Sequence, residues 1–102
     1  MLIVVQERNW TVNSKDIEYV YIGKYYYKDN EEYTIYKPAG YIEEHLDEYP
    51  DINEYKIIWM IRTNWYGWQE LGRYNSEEAA NKAMDKLLNN KSPKFYMPKD
   101  NW

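Results

Sequence analysis

Residues 55–90 decide the fold, and they read YKIIWMIRT, NWYG, WQELGRY and NSEEAANKAMDKLLNN. This order predicts a strand, a tight connection, a second strand and a capped helix. The first strand, Tyr55–Thr63, is rich in β-branched and aromatic residues, and both of its faces are largely apolar. That composition is typical of a central strand that is covered on both sides.

The connection between the two strands is expected to be a hairpin loop, because Gly67 can adopt a positive φ. In the register that we expect, Met60 lies opposite Leu71 and Trp59 lies opposite Gly72. Gly72 has no side chain, so it would leave space over which the Trp59 indole can lie.

The helix has the strongest local pattern in the chain. Asn75 is expected to be its N-cap, with Glu78 as the capping-box partner three residues later. An apolar stripe at helical spacing is predicted to face the sheet: Ala79, Ala80, Ala83, Met84, Leu87 and Leu88. Asn89, Asn90 and Pro93 predict the end of the helix.

The remaining segments complete one domain. Leu2–Gln6 is a short strand candidate, and Tyr19–Lys37 alternates as a second hairpin does. Tyr41–Tyr49 is either a short helix or an ordered loop. Residues 92–102 are expected to form an extended tail with a frayed end. The sequence therefore predicts a single α+β domain over residues 1–102. We expect two layers, an antiparallel sheet of about four or five strands from two hairpins, and one main C-terminal helix on one face.

The composition of the chain indicates the cellular compartment in which the protein is expected to occur. The chain contains no cysteine, which favours a reducing environment. The apolar run Met1–Val5 is too short for a signal peptide, and no segment is long and apolar enough to span a membrane. We therefore expect a cytoplasmic protein without a membrane partner.

The charge is unevenly distributed along the chain. The formal net charge is −4, but eight acidic residues and a single base, Lys37, lie between Glu31 and Glu54. An acidic band of this kind disfavours binding to phosphates at that part of the surface. The sequence from Lys82 onward is weakly basic.

Tyrosine is unusually abundant, with thirteen tyrosines and five tryptophans but one phenylalanine. Tyrosine combines apolar area with a polar tip, so it suits half-buried surfaces and surfaces that bind partners. The heavy use of Asn, Lys, Ile, Tyr and Glu is also typical of an AT-rich genome, such as that of a low-GC bacterium or its phage. Genome bias and function are both open explanations of the tyrosine content.

No pattern for catalysis or metal binding is present. His45 is the single histidine, and its spacing from Glu44 and Glu48 matches no zinc motif. Ser76 is explained by the start of the helix and Ser92 by its end, and neither has an evident base. The glycines are isolated, so no phosphate-binding loop is expected. We therefore expect a protein that is not an enzyme and that has no cofactor and no metal.

Two surfaces are candidates for partner binding. The first is an aromatic tip on the second hairpin, since Trp and Tyr dominate interface hot spots. The second is the acidic stretch before the central strand. The partner-binding residues that we predict are Trp65, Tyr66, Trp68, Tyr41, Glu43, Glu44, Asp47 and Glu48.

The stretch Tyr74–Ala80 after a sheet hairpin resembles the end of the small three-stranded-sheet DNA-binding domains of the AP2 and integrase-arm type. In those domains an aromatic-x-Ser/Thr-x-x-Ala segment begins the helix behind the sheet. The resemblance implies a sheet that enters the major groove, which requires several Arg and Lys side chains. This hairpin offers Lys56, Arg62 and Arg73, and the neighbouring segment is acidic.

The function that these features favour is protein binding. We expect a small acidic module that inhibits a partner protein, of the kind by which phage proteins block host defence enzymes and immunity proteins block toxins. The partner's site could be a nucleic-acid-binding cleft. The first alternative is a nucleic-acid-binding domain with stacking aromatics at Tyr25, Tyr27, Trp59 and Trp68. The second is a structural subunit that forms a homodimer through a sheet face or edge.

Overall fold

The computed structural model describes residues 1–7, 11–29, 34–64 and 69–102. It has the α+β architecture that the sequence predicts. The strands are β1 (Leu2–Val4), β2 (Thr11–Asn13), β3 (Val20–Asp29), β4 (Thr34–Pro38), β5 (Lys56–Thr63), β6 (Gln69–Tyr74) and β7 (Lys94–Tyr96). The helices are α1 (Ala39–Glu44) and α2 (Glu77–Leu88), with 3₁₀ turns at Ser14–Asp16, Leu46–Glu48 and Ile52–Glu54.

The main sheet has four antiparallel strands in the order β4-β3-β5-β6. The antiparallel strand pairs of both predicted hairpins are present, and β5 is a central strand between β3 and β6. Their connections, including the predicted loop with Gly67, lie outside the described residues. β3 runs without interruption through Gly23, so the bend that the glycine could have introduced is absent from this strand. A Cβ at Gly23 would come within 2.7 Å of the Tyr25 ring, which explains why a glycine is needed there.

The predicted β5–β6 register is wrong. Trp59 lies opposite Tyr74, Met60 opposite Arg73 and Ile61 opposite Gly72. The register then shifts after Ile61, which leaves one extra residue in β6. A β-bulge of this kind interrupts the alternation of faces, so that Leu71 and Tyr74 both join the same core. The ring over Gly72 therefore belongs to Tyr74, and not to Trp59.

A second, three-stranded sheet has the order β2-β1-β7, in which β1 pairs antiparallel with β2 and parallel with β7. The sequence predicted a single sheet. Phe95 lies opposite Ile3 in a pairing between the two ends of the chain, and local periodicity cannot indicate such a contact. Residues 99–102 are not frayed, because Asp100 and Trp102 make specific contacts with the body of the domain.

Helix α2 packs on one face of the main sheet, beside the small sheet. Its buried residues Ala80, Ala83 and Leu87 join a core with residues from both sheets: Ile3, Val5, Val12, Ile61, Leu71, Tyr74 and Met97. Leu88 is 70% exposed, so its predicted place in the buried stripe is wrong. A second, smaller cluster of Tyr25, Ile58 and Met60 lies on the opposite face.

The N-cap of α2 is Ser76, and not Asn75 as predicted. The Ser76 hydroxyl accepts a hydrogen bond from the Ala79 backbone N–H at 3.1 Å. Asn75 instead donates its backbone N–H to the Asp100 carboxylate at 2.6 Å. Both residue types are good caps, so the sequence by itself does not distinguish Asn75 from Ser76.

Candidate protein-docking surface

The acidic stretch lies in the connection between β4 and β5, which crosses β3. Tyr41–Tyr49, for which the sequence left helix and loop open, contains the end of helix α1 followed by a 3₁₀ turn at Leu46–Glu48. α1 is held down by Ala39 and Ile42, which are 6% and 0% exposed. We call residues 41–48 the acidic segment.

All four predicted carboxylates of the acidic segment are exposed: Glu43, Glu44, Asp47 and Glu48. Among the residues that the structure describes, none of the four forms an ion pair. Because α1 and the 3₁₀ turn are short, these carboxylates are closely grouped along the chain. The four predicted site residues are thus close in the sequence and individually exposed, and their role in partner binding stays a prediction.

Tyr41 lies next to these carboxylates and is 42% exposed. Its ring stacks on the His45 imidazole, with ring centroids 4.2 Å apart and an interplanar angle of 20°. The His45 Nδ1–H donates to the Tyr41 carbonyl oxygen at 2.7 Å. The Lys37 ammonium lies 5.4 Å from the Tyr41 ring centroid on the adjoining strand. These contacts hold the ring in place while leaving much of its surface open.

The end of the connection is fixed to the sheet by Lys28. Its Nζ donates to Asp51 Oδ2 at 2.6 Å and to Glu54 Oε2 at 3.0 Å. These hydrogen bonds raise the pKa of Lys28 and lower the pKa of Asp51. Tyr49 and Tyr55 meet edge to face beside this ion pair, at a centroid distance of 6.2 Å. Asp51 and Glu54 therefore have a structural partner, unlike the carboxylates of the acidic segment.

The predicted aromatic tip, comprising Trp65, Tyr66 and Trp68, lies outside the described residues. Its role in partner binding stays a prediction.

Two of the sheet aromatics of the nucleic-acid alternative, Tyr25 and Tyr27, make contacts within the chain, while Trp68 lies outside the described residues. Tyr25 is 4% exposed, and its hydroxyl accepts a hydrogen bond from Arg62 at 3.1 Å. Tyr27 contacts the Trp102 ring edge to face at 5.2 Å. A stacking platform requires ring faces that are open to bases, and Tyr25 does not offer one.

The sequence indicated Arg73 as a basic residue of the hairpin but did not indicate its contact with Trp102 on this sheet face. The Arg73 guanidinium lies 4.7 Å from the Trp102 ring centroid and 5.5 Å from that of Tyr27. Arg73 also forms an ion pair with Glu70 on the same strand. The acidic partner three residues earlier was visible in the sequence, but the position of Trp102 on this face depends on the path of the tail.

Within residues 1–7, 11–29, 34–64 and 69–102, no three His, Cys, Asp or Glu side chains are grouped so that they could hold a metal ion. No helix in these ranges has the length and apolarity needed to cross a bilayer.

No protein-family model matches the chain, and comparisons with curated proteins and with solved structures find no match.

Proposed function

We propose that this chain is a protein-binding module that inhibits a partner protein by placing its acidic segment in a basic cleft of that partner. The observation that supports this proposal is the grouping of Glu43, Glu44, Asp47 and Glu48. They are exposed and, in the part of the chain that the structure describes, they have no ion-pair partner. Carboxylates that do not stabilise their own fold are free to meet cations on another surface.

The two kinds of side chain in the acidic segment have different roles in this proposal. The carboxylates attract a basic surface before contact and so raise the association rate, an effect that falls with salt over a Debye length of about 10 Å at 0.1 M. Tyr41 supplies apolar area and a hydroxyl at the edge of the carboxylates, which suits an interface anchor. A cleft built for nucleic acid fits both, because it offers cations for phosphates and apolar surfaces for bases.

The setting that we propose is the cytoplasm of a bacterial cell. The inhibitor would be of the phage anti-defence type or of the immunity-protein type, and its target would be a nucleic-acid-processing enzyme. The acidic segment would take the place of the phosphate backbone. The same carboxylates repel free nucleic acid, which supports a protein partner over a nucleic-acid partner.

The test uses two matched charge reversals of equal size. Glu43→Lys with Glu44→Lys changes the acidic segment, while Asp16→Lys with Glu18→Lys changes two exposed acids elsewhere on the surface. Each protein is used as bait in a bacterial lysate at low salt, and the retained proteins are identified. The affinity of each retained protein for the wild type and for the two variants is then measured by titration. We expect a basic partner to bind the wild type and the Asp16/Glu18 control alike, and to bind the segment variant about tenfold or more weakly.

Equal affinity of the partner for both variants would refute the proposal. If both affinities were reduced, net charge alone would explain retention, and if neither were reduced, the acidic segment would not contribute to binding. A titration of the wild type with labelled single-stranded and duplex DNA at low salt completes the experiment. We expect no binding, and salt-sensitive binding of either DNA would replace the protein-docking proposal with the nucleic-acid alternative.

A homodimer through β4 is the second candidate. Among the described strands, none pairs with the outer edge of β4, which ends the main sheet. At the opposite end, the outer edge of β6 is covered, since the Gln6 backbone N–H donates to the Leu71 carbonyl at 2.9 Å. An open edge can pair with another strand, although Lys37 and Pro38 in β4 are residues that oppose such pairing. Measurement of the solution mass distinguishes a dimer from a monomer.

A further inference from the structure

The last three residues, Asp100-Asn101-Trp102, occupy a groove on the surface of their own domain, which we call the tail groove. The Asn75 backbone N–H donates to Asp100 Oδ2 at 2.6 Å, and the Asn75 side-chain amide donates to the Asn101 carbonyl at 3.3 Å. Asn75 directly precedes the N-cap of the twelve-residue helix α2, where the helix dipole favours a carboxylate. One end of the tail groove therefore binds a carboxylate side chain and a peptide carbonyl.

The other end of the tail groove receives an aromatic ring. The Trp102 indole meets the Tyr27 ring edge to face, with centroids 5.2 Å apart. The Arg73 guanidinium lies 4.7 Å from its centroid and the Lys56 ammonium 5.2 Å from it. A ring flanked by two cations and an aromatic edge gains both cation–π and aromatic contacts.

The contacts between the tail and the rest of the domain differ before and after Pro98. The Pro98 carbonyl accepts hydrogen bonds from the Tyr74 hydroxyl and from the Gln6 side chain, both at 2.8 Å. Met97 is 4% exposed in the main core. Beyond Pro98, Lys99 and Asn101 are exposed, and Asn75 donates hydrogen bonds to Asp100 and to Asn101. Within residues 99–102 the Trp102 ring packs against the cluster of Tyr25, Ile58 and Met60, and Asp100 is held by Asn75.

Residues 99–102 also leave space beside them. A cavity of about 230 Å³ lies next to Trp102 and Arg73 and is lined by Gln6, Glu7 and Glu70 as well. Another of about 280 Å³ is lined by Glu7, Lys99, Asp100 and Asn101. The first of these cavities therefore leaves space next to Trp102 into which a bound segment could extend toward Gln6 and Glu7.

We propose that the tail groove is a peptide-binding site for a partner protein segment with an acidic residue two positions before an aromatic one, and that residues 100–102 occupy it in cis. A peptide is the ligand that the groove fits, because one end binds a carboxylate together with a peptide carbonyl and the other end binds an aromatic ring. This site lies apart from the acidic segment, and its occupancy does not depend on the inhibitor proposal.

The test is the binding of a labelled, C-terminally amidated peptide of sequence Met-Pro-Lys-Asp-Asn-Trp to the full chain, followed by fluorescence anisotropy. We expect the Trp102→Ala chain to bind the peptide. The wild type should bind it about tenfold or more weakly, because its own indole competes at high effective concentration. A control peptide with alanine for the tryptophan should lose most of the affinity, because the Trp102→Ala chain keeps its own Asp100 at Asn75 and offers the peptide only the indole position.

Circular dichroism establishes that the Trp102→Ala chain is folded. The Asp100→Asn chain is a second variant, which keeps the indole and removes the carboxylate held by Asn75. We expect its affinity for the peptide to lie between those of the wild type and the Trp102→Ala chain. If the folded variants fail to bind the peptide, or bind the alanine peptide equally well, residues 99–102 are only a structural strap and the proposal is wrong.

Discussion

The Tyr74 ring lies directly over Gly72, so that a Cβ placed on Gly72 would come within 2.8 Å of the Tyr74 hydroxyl oxygen. Tyr74 is 1% exposed, and its hydroxyl donates to the Pro98 carbonyl at 2.8 Å. The ring is therefore held from both sides and cannot move away without breaking a buried hydrogen bond. This one contact joins the bulged strand β6 to the tail.

Replacement of Gly72 tests this contact. We expect Gly72→Ala to lower the free energy of unfolding by about 1–3 kcal/mol, because overpacking forces the Tyr74 ring to shift. Gly40→Ala is the matched control, since nothing lies within 4 Å of a Cβ there and Gly40 is in helix α1. That change should raise stability by about 0.5–1 kcal/mol. Urea denaturation measures both, and equal effects would show that Tyr74 does not restrict position 72.

Leu87 and Leu88 are neighbours in the apolar stripe that the sequence predicts. Their side chains lie in different surroundings, since Leu87 is 3% exposed and Leu88 is 70% exposed. We expect Leu87→Ala to cost about 2–5 kcal/mol, because it opens a cavity in the main core. Leu88→Ala should change stability by less than about 0.5 kcal/mol. Thermal unfolding of the two variants compares them directly. A large loss for Leu88→Ala would mean that another surface covers this residue.

The raised pKa values of Tyr74 and Tyr21 lead us to expect a loss of stability in alkali. Burial raises the pKa of Tyr74, and burial with a hydrogen bond to Tyr25 raises the pKa of Tyr21 to about 12. A tyrosine whose pKa is raised by folding stabilises the fold below its unfolded pKa of about 10. That contribution disappears as the pH rises through the folded pKa. We expect the free energy of unfolding to fall above about pH 10, and to fall less steeply in Tyr74→Phe. An unchanged slope in Tyr74→Phe would contradict this assignment.

The Lys28–Asp51 ion pair predicts a smaller effect in acid. The hydrogen bond from Lys28 lowers the pKa of Asp51, so the carboxylate stabilises the fold above its unfolded pKa. This stabilisation is lost as the pH falls through the lowered value. We expect the Asp51 pKa, measured by NMR, to return toward that of a free aspartate in Lys28→Met. Lys24→Met is the control, because Lys24 lies over Trp59 and forms no ion pair with a described residue. A similar rise in both variants would indicate a general charge effect.

The candidate site was only partly accessible from the sequence. The acidic composition of residues 43–48 indicated a negative surface, and local spacing could not say whether these residues form a helix or a loop. Ile42 decides this, because its complete burial anchors α1. The tail groove gave no sequence signal, since the contacts of Asn75 with Asn101 and of Arg73 with Trp102 join residues that are distant in the chain.

The sequence by itself determined the two hairpins, the central position of β5 and the amphipathic helix α2. These features follow from alternation, helical periodicity and turn chemistry, which act between residues close in the chain. Tertiary structure alone decided the β5–β6 register, the choice of Ser76 as N-cap and the parallel pairing of β1 with β7. In each case several local arrangements are nearly equal in energy. Contacts between distant residues, such as Asn75 with Asp100, select one of them.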